Sequence, residues 1–319
     1  IQYVAYTSRK KVLVIGGGPS GLSAAYQLIR MGHEVEICEA GSKLGGLLWT
    51  GVPDYRLPKD ILEFEVNRIV NTGIKVKLNY KVEDIIKEKE AGNFDAVYLA
   101  IGAGLIRHED FDADGSVFIK DAFAFFDEIK TNTSPYINKK VIVYGGGKLA
   151  LYLARILKRF GSEVAVYFPG DKKMMPAYDY EADDALAEGV NVQMFRSINR
   201  IENKKIVFEI MKVEKGKAIG TGEFEIVDAD ILINANKQET KSGFLNAFPI
   251  KINVDGTVVI DAQRMTGAEG IFAGGDMLPG ENRSATIAMG HGKKAAKYID
   301  GYLMQQPYQK PPKHATASY

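Results

Sequence analysis

Cysteine is the scarcest resource of this chain: Cys38 stands alone among 319 residues. A single cysteine excludes an internal disulfide, a C-x-x-C redox pair, and any cysteine-ligated cluster or zinc site built within the chain. Following Val35, Glu36 and Ile37, it reads as a small buried hydrophobe rather than a reactive thiol. Charge of one sign is also missing, since 41 basic residues face 40 acidic ones for a formal net charge of +1. No basic face for nucleic acid is implied. No apolar run reaches the ~18 residues that span a bilayer. The opening IQYVAYTSRK lacks the apolar segment of a secretory signal, so a cytoplasmic location is the default expectation. The chain does not open with Met, which leaves room for residues upstream. His108, one of only four histidines, sits in an Asp-rich stretch without a partner motif and reads as a solvated side chain, and no metal site is expected.

What is present is an ordinary globular composition, 46% hydrophobic and 25% charged, in a chain long enough for two domains of ~150 residues. Its most informative stretch is 10–40. Val12–Ile15 is a short β-branched run that reads as a buried parallel strand. Gly16, Gly18 and Gly21 follow in G-x-G-x-x-G spacing. A helical pattern through Leu22, Ala25, Leu28 and Ile29 ends at Gly32, and a second strand, Val35–Cys38, delivers Glu39. Such glycines provide a tight turn, room for a pyrophosphate against the backbone, and close helix–strand contact. The pyrophosphate is favoured by unpaired N–H groups and the positive end of the helix dipole. Glu39 stands where an acid accepts hydrogen bonds from an adenosine ribose. Strand, helix, strand and acid together predict dinucleotide binding.

The loop GSKLGGLLWTGVPDYRLPKDIL is too apolar for a solvent-exposed connection. Leu44, Leu47, Leu48, Trp49, Val52 and Tyr55 either pack on the domain core or wall a flavin ring. The pattern then predicts a helix over 62–70, a strand over 74–78, a turn at Lys81–Val82, and a buried strand over 95–101 that runs into Gly102. Residues 105–138 read as a connection carrying one amphipathic helix over 120–129. KKVIVYGGGKLALYLARILKRFGSEVAVYFP then repeats the opening unit at a constant offset of 129 positions (145 against 16, 147 against 18, 161 against 32). The copy carries Ala150 in place of the third glycine and Phe168-Pro169 in place of Glu39-Ala40. Asp171, Lys172 and Lys173 follow as candidate ribose or phosphate ligands. Strands over 205–213 and 223–227, separated by a hairpin over 214–222, predict an antiparallel flap. DILINA at 230–235 is the counterpart of the strand at 95–100. Residues 270–276 form a strand ending in glycines and an acid, 285–303 an amphipathic helix, and the Pro-rich tail from Gln305 a disordered or extended arm.

Together GGGPSG with Glu39, GGLLWTGVPDYRLPKDIL, AIGAG, GGGKLA, MPA at 175–177, FAGGD and GHGKKAA resemble the two-dinucleotide-binding-domain flavoproteins. Within them the chain is most similar to the glutamate synthase small (β) subunit and the flavin part of dihydropyrimidine dehydrogenase. The resemblance implies an α/β fold of two Rossmann-like three-layer domains: an FAD domain from 1–104 and 240–319, and an NAD(P) domain, 105–239, inserted into it. It assigns the ADP part of FAD to Gly16, Gly18, Pro19, Ser20, Gly21, Glu39 and Ala40, and adenine to the backbone of Val82. Gly46 and Leu47 would lie beside the flavin and Asp276 would bond the ribityl chain or pyrophosphate. The helix start at Ser284, Ala285 and Thr286 would face the flavin N1/C2=O edge, and Arg56, Ala100, Gly102 and Gly275 complete the surface. NAD(P) falls to Gly145, Gly147, Lys148, Leu149, Ala150, Lys172, Lys173 and Asn236. No side chain is assigned a catalytic role, because hydride transfer runs between cofactors.

Three departures accompany the resemblance. The family's N-terminal cysteine clusters are missing, Phe168-Pro169 replaces the paired arginines that select NADPH, and Lys237 stands where a glycine near the nicotinamide phosphates is expected. The implied function is an FAD-dependent NAD(P)H oxidoreductase subunit passing electrons to an iron–sulfur protein or a larger catalytic subunit. The alternatives are an FAD-bearing electron-transfer subunit with a vestigial second site, and a nucleotide-binding scaffold without turnover.

Overall fold

The computed structural model of the chain describes residues 7–106, 110–129, 136–236, 238–280, 283–306 and 308. His108, Lys237 and most of the Pro-rich tail lie outside the described residues. In chain order the elements are β1 Lys11–Ile15, α1 Pro19–Arg30, β2 Glu34–Cys38, α2 Leu47–Thr50, α3 Lys59–Val70, β3 Lys75–Lys77, α4 Ile85–Ala91, β4 Ala96–Leu99, β5 Leu105–Ile106, β6 Phe118–Asp121, α5 Ala122–Ile129, β7 Lys140–Tyr144, α6 Lys148–Arg159, β8 Glu163–Tyr167, α7 Asp179–Ala187, β9 Asn191–Gln193, β10 Arg196–Glu202, β11 Lys205–Glu214, β12 Lys217–Asp228, β13 Ile231–Asn234, β14 Gln238–Glu239, β15 Ile271–Ala273 and α8 Ala285–Leu303. Two compact units result, one from Ile1–Leu48, Lys59–Ala103 and Thr240–Tyr319, the other from Trp49–Pro58 and Gly104–Glu239.

The first unit is built on an all-parallel sheet in the order β15-β4-β1-β2-β3. Because successive side chains alternate across a strand, Leu13, Ile15, Val97, Leu99, Ile271 and Ala273 share one buried cluster with Ile85, Leu245 and Val258. On the opposite face Tyr98 reaches Ser20 of α1. Val12, Leu13 and Val14 are fully buried, each such side chain contributing about 1.5–3 kcal/mol. Helices α1 and α8 touch closely enough that a Cβ on Gly292 would lie 2.1 Å from the Ser20 carbonyl oxygen.

The second unit repeats this plan with the parallel order β6-β13-β7-β8-β9. The boundaries of its βαβ start lie 129 positions after those of the first (140 against 11, 148 against 19, 163 against 34). Val141, Val143, Ile231 and Ile233 pack on α5 and α6. Ile142, Tyr144 and Leu232 pack instead on Ile206 and Phe208 of β11, and Tyr167 stacks on Phe208 with centroids 4.2 Å apart. The antiparallel sheet β10-β11-β12 thus forms one outer layer of this unit, as its strand pattern predicts.

The structure corrects the sequence expectation in three places. The stretch 105–138 is more than a connection, because Phe118–Asp121 is an outer strand of the second sheet; with Phe118 and Ile119 exposed it carries no apolar alternation to reveal it. Helix α4, capped by Asp84 through the Lys87 N–H, was not anticipated. The hairpin turn is only Lys215–Gly216, both at positive φ (+50° and +74°), the geometry of a two-residue type I′ turn. Gly222, at φ +81°, sits at a register break in the β11–β12 ladder and is a bulge rather than part of the turn.

Candidate functional site

The first glycine turn is shaped by backbone contact. Gly16 has φ +101°, and a Cβ there would lie 2.4 Å from the Ala100 carbonyl oxygen. The Gly16 N–H donates to the Cys38 carbonyl at 2.9 Å, which fixes the turn against the end of β2. Gly18 caps α1 without a side-chain bond, and Pro19 begins it. Because Pro19 has no N–H and the first intrahelical donor is Leu22 to Gly18, the N–H groups of Ser20 and Gly21 have no helical partner. The Ser20 hydroxyl is turned inward, 2.7 Å from the Tyr98 hydroxyl.

Glu39 completes the turn. One carboxylate oxygen accepts the Gly17 N–H and the other the Gly41 N–H, each at 2.7 Å. This clamp fixes the acid beside the glycine turn, and each oxygen retains capacity for a further hydrogen bond. The loop beyond it returns to the turn: the Gly45 N–H donates to the Gly17 carbonyl at 2.8 Å, and Leu44, 7% exposed, covers Gly17. Gly46, at φ +53°, would bring a Cβ to 3.0 Å from the Gly18 Cα. Leu44 therefore packs on the glycine turn, whereas Leu47, Leu48, Trp49 and Val52 are half-buried. Tyr55 lies within the second unit with Arg159 over its ring at 4.0 Å.

At the same C-terminal end of the sheet, beyond β15, Gly275 (φ +80°) closes on the Ser20 side chain, with 2.9 Å from a Cβ there to the Ser20 Cβ. Asp276 follows, partly buried. Ser284 caps α8 by accepting the Ile287 N–H at 3.2 Å, which leaves the Ala285 and Thr286 N–H groups without helical partners. Val82 and Ala100 are buried, and Gly102 has φ +70° facing open space.

The second turn has the same backbone logic. Gly145 has φ +148°, and a Cβ there would lie 2.5 Å from the Ala235 carbonyl oxygen. Its N–H donates to Tyr167 at 3.0 Å, and the Ala177 N–H docks on the Gly146 carbonyl at 3.1 Å, as Gly45 docks on Gly17. Gly147 caps α6 without a side-chain bond, so Lys148, Leu149 and Ala150 carry the partnerless N–H groups. Where the first site has Glu39, the Phe168 ring fills the space over Gly146, 2.6 Å from a Cβ there.

The sequence profile of the pyridine nucleotide-disulphide oxidoreductases matches residues 10–292. The chain belongs to that family. Pyridine nucleotide-disulphide oxidoreductases are NAD(P)H-dependent flavoprotein oxidoreductases that bind FAD and NAD(P)H. The chain is 33% identical to the NADP(+)-dependent formate dehydrogenase subunit beta of Moorella thermoacetica, over 94% of its own length and 45% of that protein. It is 29% identical to the glutamate synthase [NADPH] small chain of Escherichia coli K12, over 92% of this chain and 69% of that one. With the NAD-dependent dihydropyrimidine dehydrogenase subunit PreT of the same strain it shares 28% identity over 92% and 68%. The resemblance read from the motifs is borne out by these relatives. It spans less than half of the first. Thioredoxin reductase of T. acidophilum has the same fold, with a TM-score of 0.74 and 17% identity over 93% of this chain and all of that one.

The disulphide in this oxidoreductase family's name has no internal counterpart here, because Cys38 is the single cysteine of the chain; it is buried, and burial, followed by the Glu36 charge, pushes its thiol up to about 12. The residues of the first turn fit the family's FAD: a clamped acid, a glycine cradle that a side chain would block, and two helix starts with unspent N–H groups. Lys172 lies 3.4 Å from Asp183. Arg56 is held within the second unit by the Tyr180 hydroxyl at 3.2 Å and Glu181 at 3.7 Å.

Sequence reasoning missed the docking of Gly45 and Ala177, which only a fold reveals. It also missed fully buried His33, whose ring joins Ser8 at 2.8 Å to Asp300 at 3.0 Å; burial lowers its pKa against the opposing pull of Asp300. Among the described residues no helix is long and apolar enough to cross a membrane, and no group of acids, histidines and cysteine is arranged to hold a metal.

Proposed function

We propose that the chain is the flavin-bearing subunit of an NAD(P)H oxidoreductase, passing electrons from NAD(P)H through FAD to an iron–sulfur protein or a larger partner subunit. The observation that carries this reading is the Glu39 clamp on Gly17 and Gly41, set beside a helix start with unspent N–H groups. In this reading residues 1–104 and 240–319 bind FAD and 105–239 bind the nicotinamide nucleotide. Glu39 orients the adenosine ribose, the Ser20 and Gly21 N–H groups hold the pyrophosphate, and Asp276 bonds the ribityl chain or pyrophosphate. The Ala285 and Thr286 N–H groups favour negative charge at the flavin edge they face. The bound flavin would supply the exchange between a two-electron donor and an electron-accepting partner. The chain's own part is to bind and orient, since no side chain is assigned a proton or a covalent bond. A partner is supported by the relatives named as subunits.

The test is spectroscopic. The purified chain should be yellow and lose its visible flavin absorbance on anaerobic addition of a reduced nicotinamide nucleotide. A yellow protein that neither NADH nor NADPH bleaches would instead favour an electron-transfer subunit with a vestigial second site, the reading to which Phe168 lends weight. A protein that stays colourless after reconstitution with FAD would end both.

A further inference from the structure

The two nucleotide turns share a backbone and differ in chemistry at one point. The residue that follows the carbonyl accepting the turn's N–H is Glu39 in the first unit and Phe168 in the second. In dinucleotide folds an acid near this point bonds the ribose 2′-OH, while an arginine nearby accommodates a 2′-phosphate. Phe168 does neither: it is 8% exposed, belongs to the core shared with Leu149 and Met175, and lies between Gly146 and Gly170.

The cations around the end of β8 are largely committed. Arg196, whose N–H bonds the Phe168 carbonyl, gives its Nε to Glu225 and its Nη1 to the carbonyls of Met194 and Phe195. Lys172 sits 3.4 Å from Asp183 and 3.8 Å from Asp179. The Lys148 ammonium stands 3.8 Å above the centre of the Tyr178 ring. Asp171 accepts the Met174 N–H through one carboxylate oxygen at 2.9 Å. Lys173 is exposed and is the remaining cation of this group. A 2′-phosphate carries close to two negative charges; at the end of β8 three carboxylates offset the three lysines of this group, and no guanidinium is available to pair with it bidentately.

We propose that the second site discriminates against the 2′-phosphate, so that the chain takes NADH in preference to NADPH. The inference rests on the reading that the second unit binds the nucleotide donor. Because Asp179 and Asp183 are largely exposed, with side-chain exposures of 80% and 63%, their repulsion is screened and the preference should be a few-fold rather than absolute.

Calorimetric titration of the FAD-loaded chain with NAD+ and NADP+ tests this, together with kcat/KM for NADH and NADPH with an artificial acceptor. NAD+ should bind a few-fold more tightly, and the kcat/KM ratio should point the same way. Phe168→Arg should narrow or reverse the gap. Should that variant fail to fold, Asp183→Asn, at an exposed position that removes one of the two acids beside Lys172, should improve NADP+ binding relative to NAD+. Equal or tighter binding of NADP+ by the parent chain overturns the proposal. Bleaching of the flavin by both nucleotides alike, with equal affinities, sinks this preference and leaves the donor reading standing. If neither nucleotide binds or bleaches, both fall.

Discussion

Replacing Gly21 by alanine should loosen the first nucleotide site without touching the second. A Cβ at this position would lie 1.9 Å from the Gly16 carbonyl oxygen and 3.2 Å from the Val14 Cγ1, where ordinary contact begins at 3.4 Å. The start of α1 would therefore have to withdraw by 3.4 − 1.9 = 1.5 Å. Neither side can yield cheaply. Gly16 is tied to Cys38 at 2.9 Å and already packs on the Ala100 carbonyl, while α1 is backed by Gly292 of α8. Over-packing of this kind costs about 1–3 kcal/mol, which for a unit of this size lowers Tm by roughly 2–12 °C. The same withdrawal pulls the Ser20 and Gly21 N–H groups away from the position assigned to the pyrophosphate, so FAD retention should fall with Tm. The chain carries its own control, since Ala150 occupies the equivalent position of the second turn. Ala150→Gly should cost only about 0.5–1 kcal/mol and leave the flavin in place. Thermal melts and the flavin-to-protein absorbance ratio of the two purified variants decide the matter. A Gly21→Ala protein that retains stoichiometric FAD and the parent Tm would refute the reasoning.

Glu39→Ala removes the acceptor for two backbone N–H groups and for the ribose; at about 1.5–3 kcal/mol for charge-assisted bonds, the FAD Kd should rise roughly 10- to 150-fold, and an unchanged flavin-fluorescence titration would count against the clamp. His33, buried between Ser8 and Asp300, has its pKa lowered by burial below the usual 6.5. The unfolded chain then binds the extra proton, so stability is full above about pH 6.5 and declines as pH falls below it; Tm measured from about pH 7.5 to 5.5 should drop, and His33→Gln should flatten that slope, an unaltered slope being the contrary result. Cys38, with its thiol pushed up to about 12 mainly by burial, should resist an aromatic disulfide reagent in the native protein and react on unfolding; rapid native labelling would contradict the packing of β2.

Much of this fold was legible because its strongest signals are periodic or conformational. The apolar runs of β1 and β7, the glycine triplets and the constant offset all reflect backbone requirements that few other residues satisfy, and the 285–303 helix pattern coincides with α8. Elements whose residues face water on the outside of a sheet, such as β6 and the outer half of β12, leave no apolar pattern to read. The site was legible in its main-chain parts, but the burial of the Phe168 ring over Gly146 depends on where Met174 and Gly170 return in space. The same holds for Arg56: sequence adjacency links it to the loop after Glu39, whereas its guanidinium is occupied by Tyr180 and Glu181.

The order β15-β4-β1-β2-β3 also governs how the chain must fold. Leu99 and Ile271 belong to adjacent strands although they stand 172 positions apart (271 against 99), so the first sheet cannot gain its outer strand until a very long loop closes. The inserted stretch shortens that search, because Leu105 and Ile106 pair with Glu239 and Gln238 and bring its two ends together. Once this ribbon has formed, only the 6 positions before it and the 32 after it remain to be closed (105 against 99, 271 against 239). If the second unit folds first and its packing offsets the closure of the ribbon itself, the remaining closure is easier by about 1.3 kcal/mol.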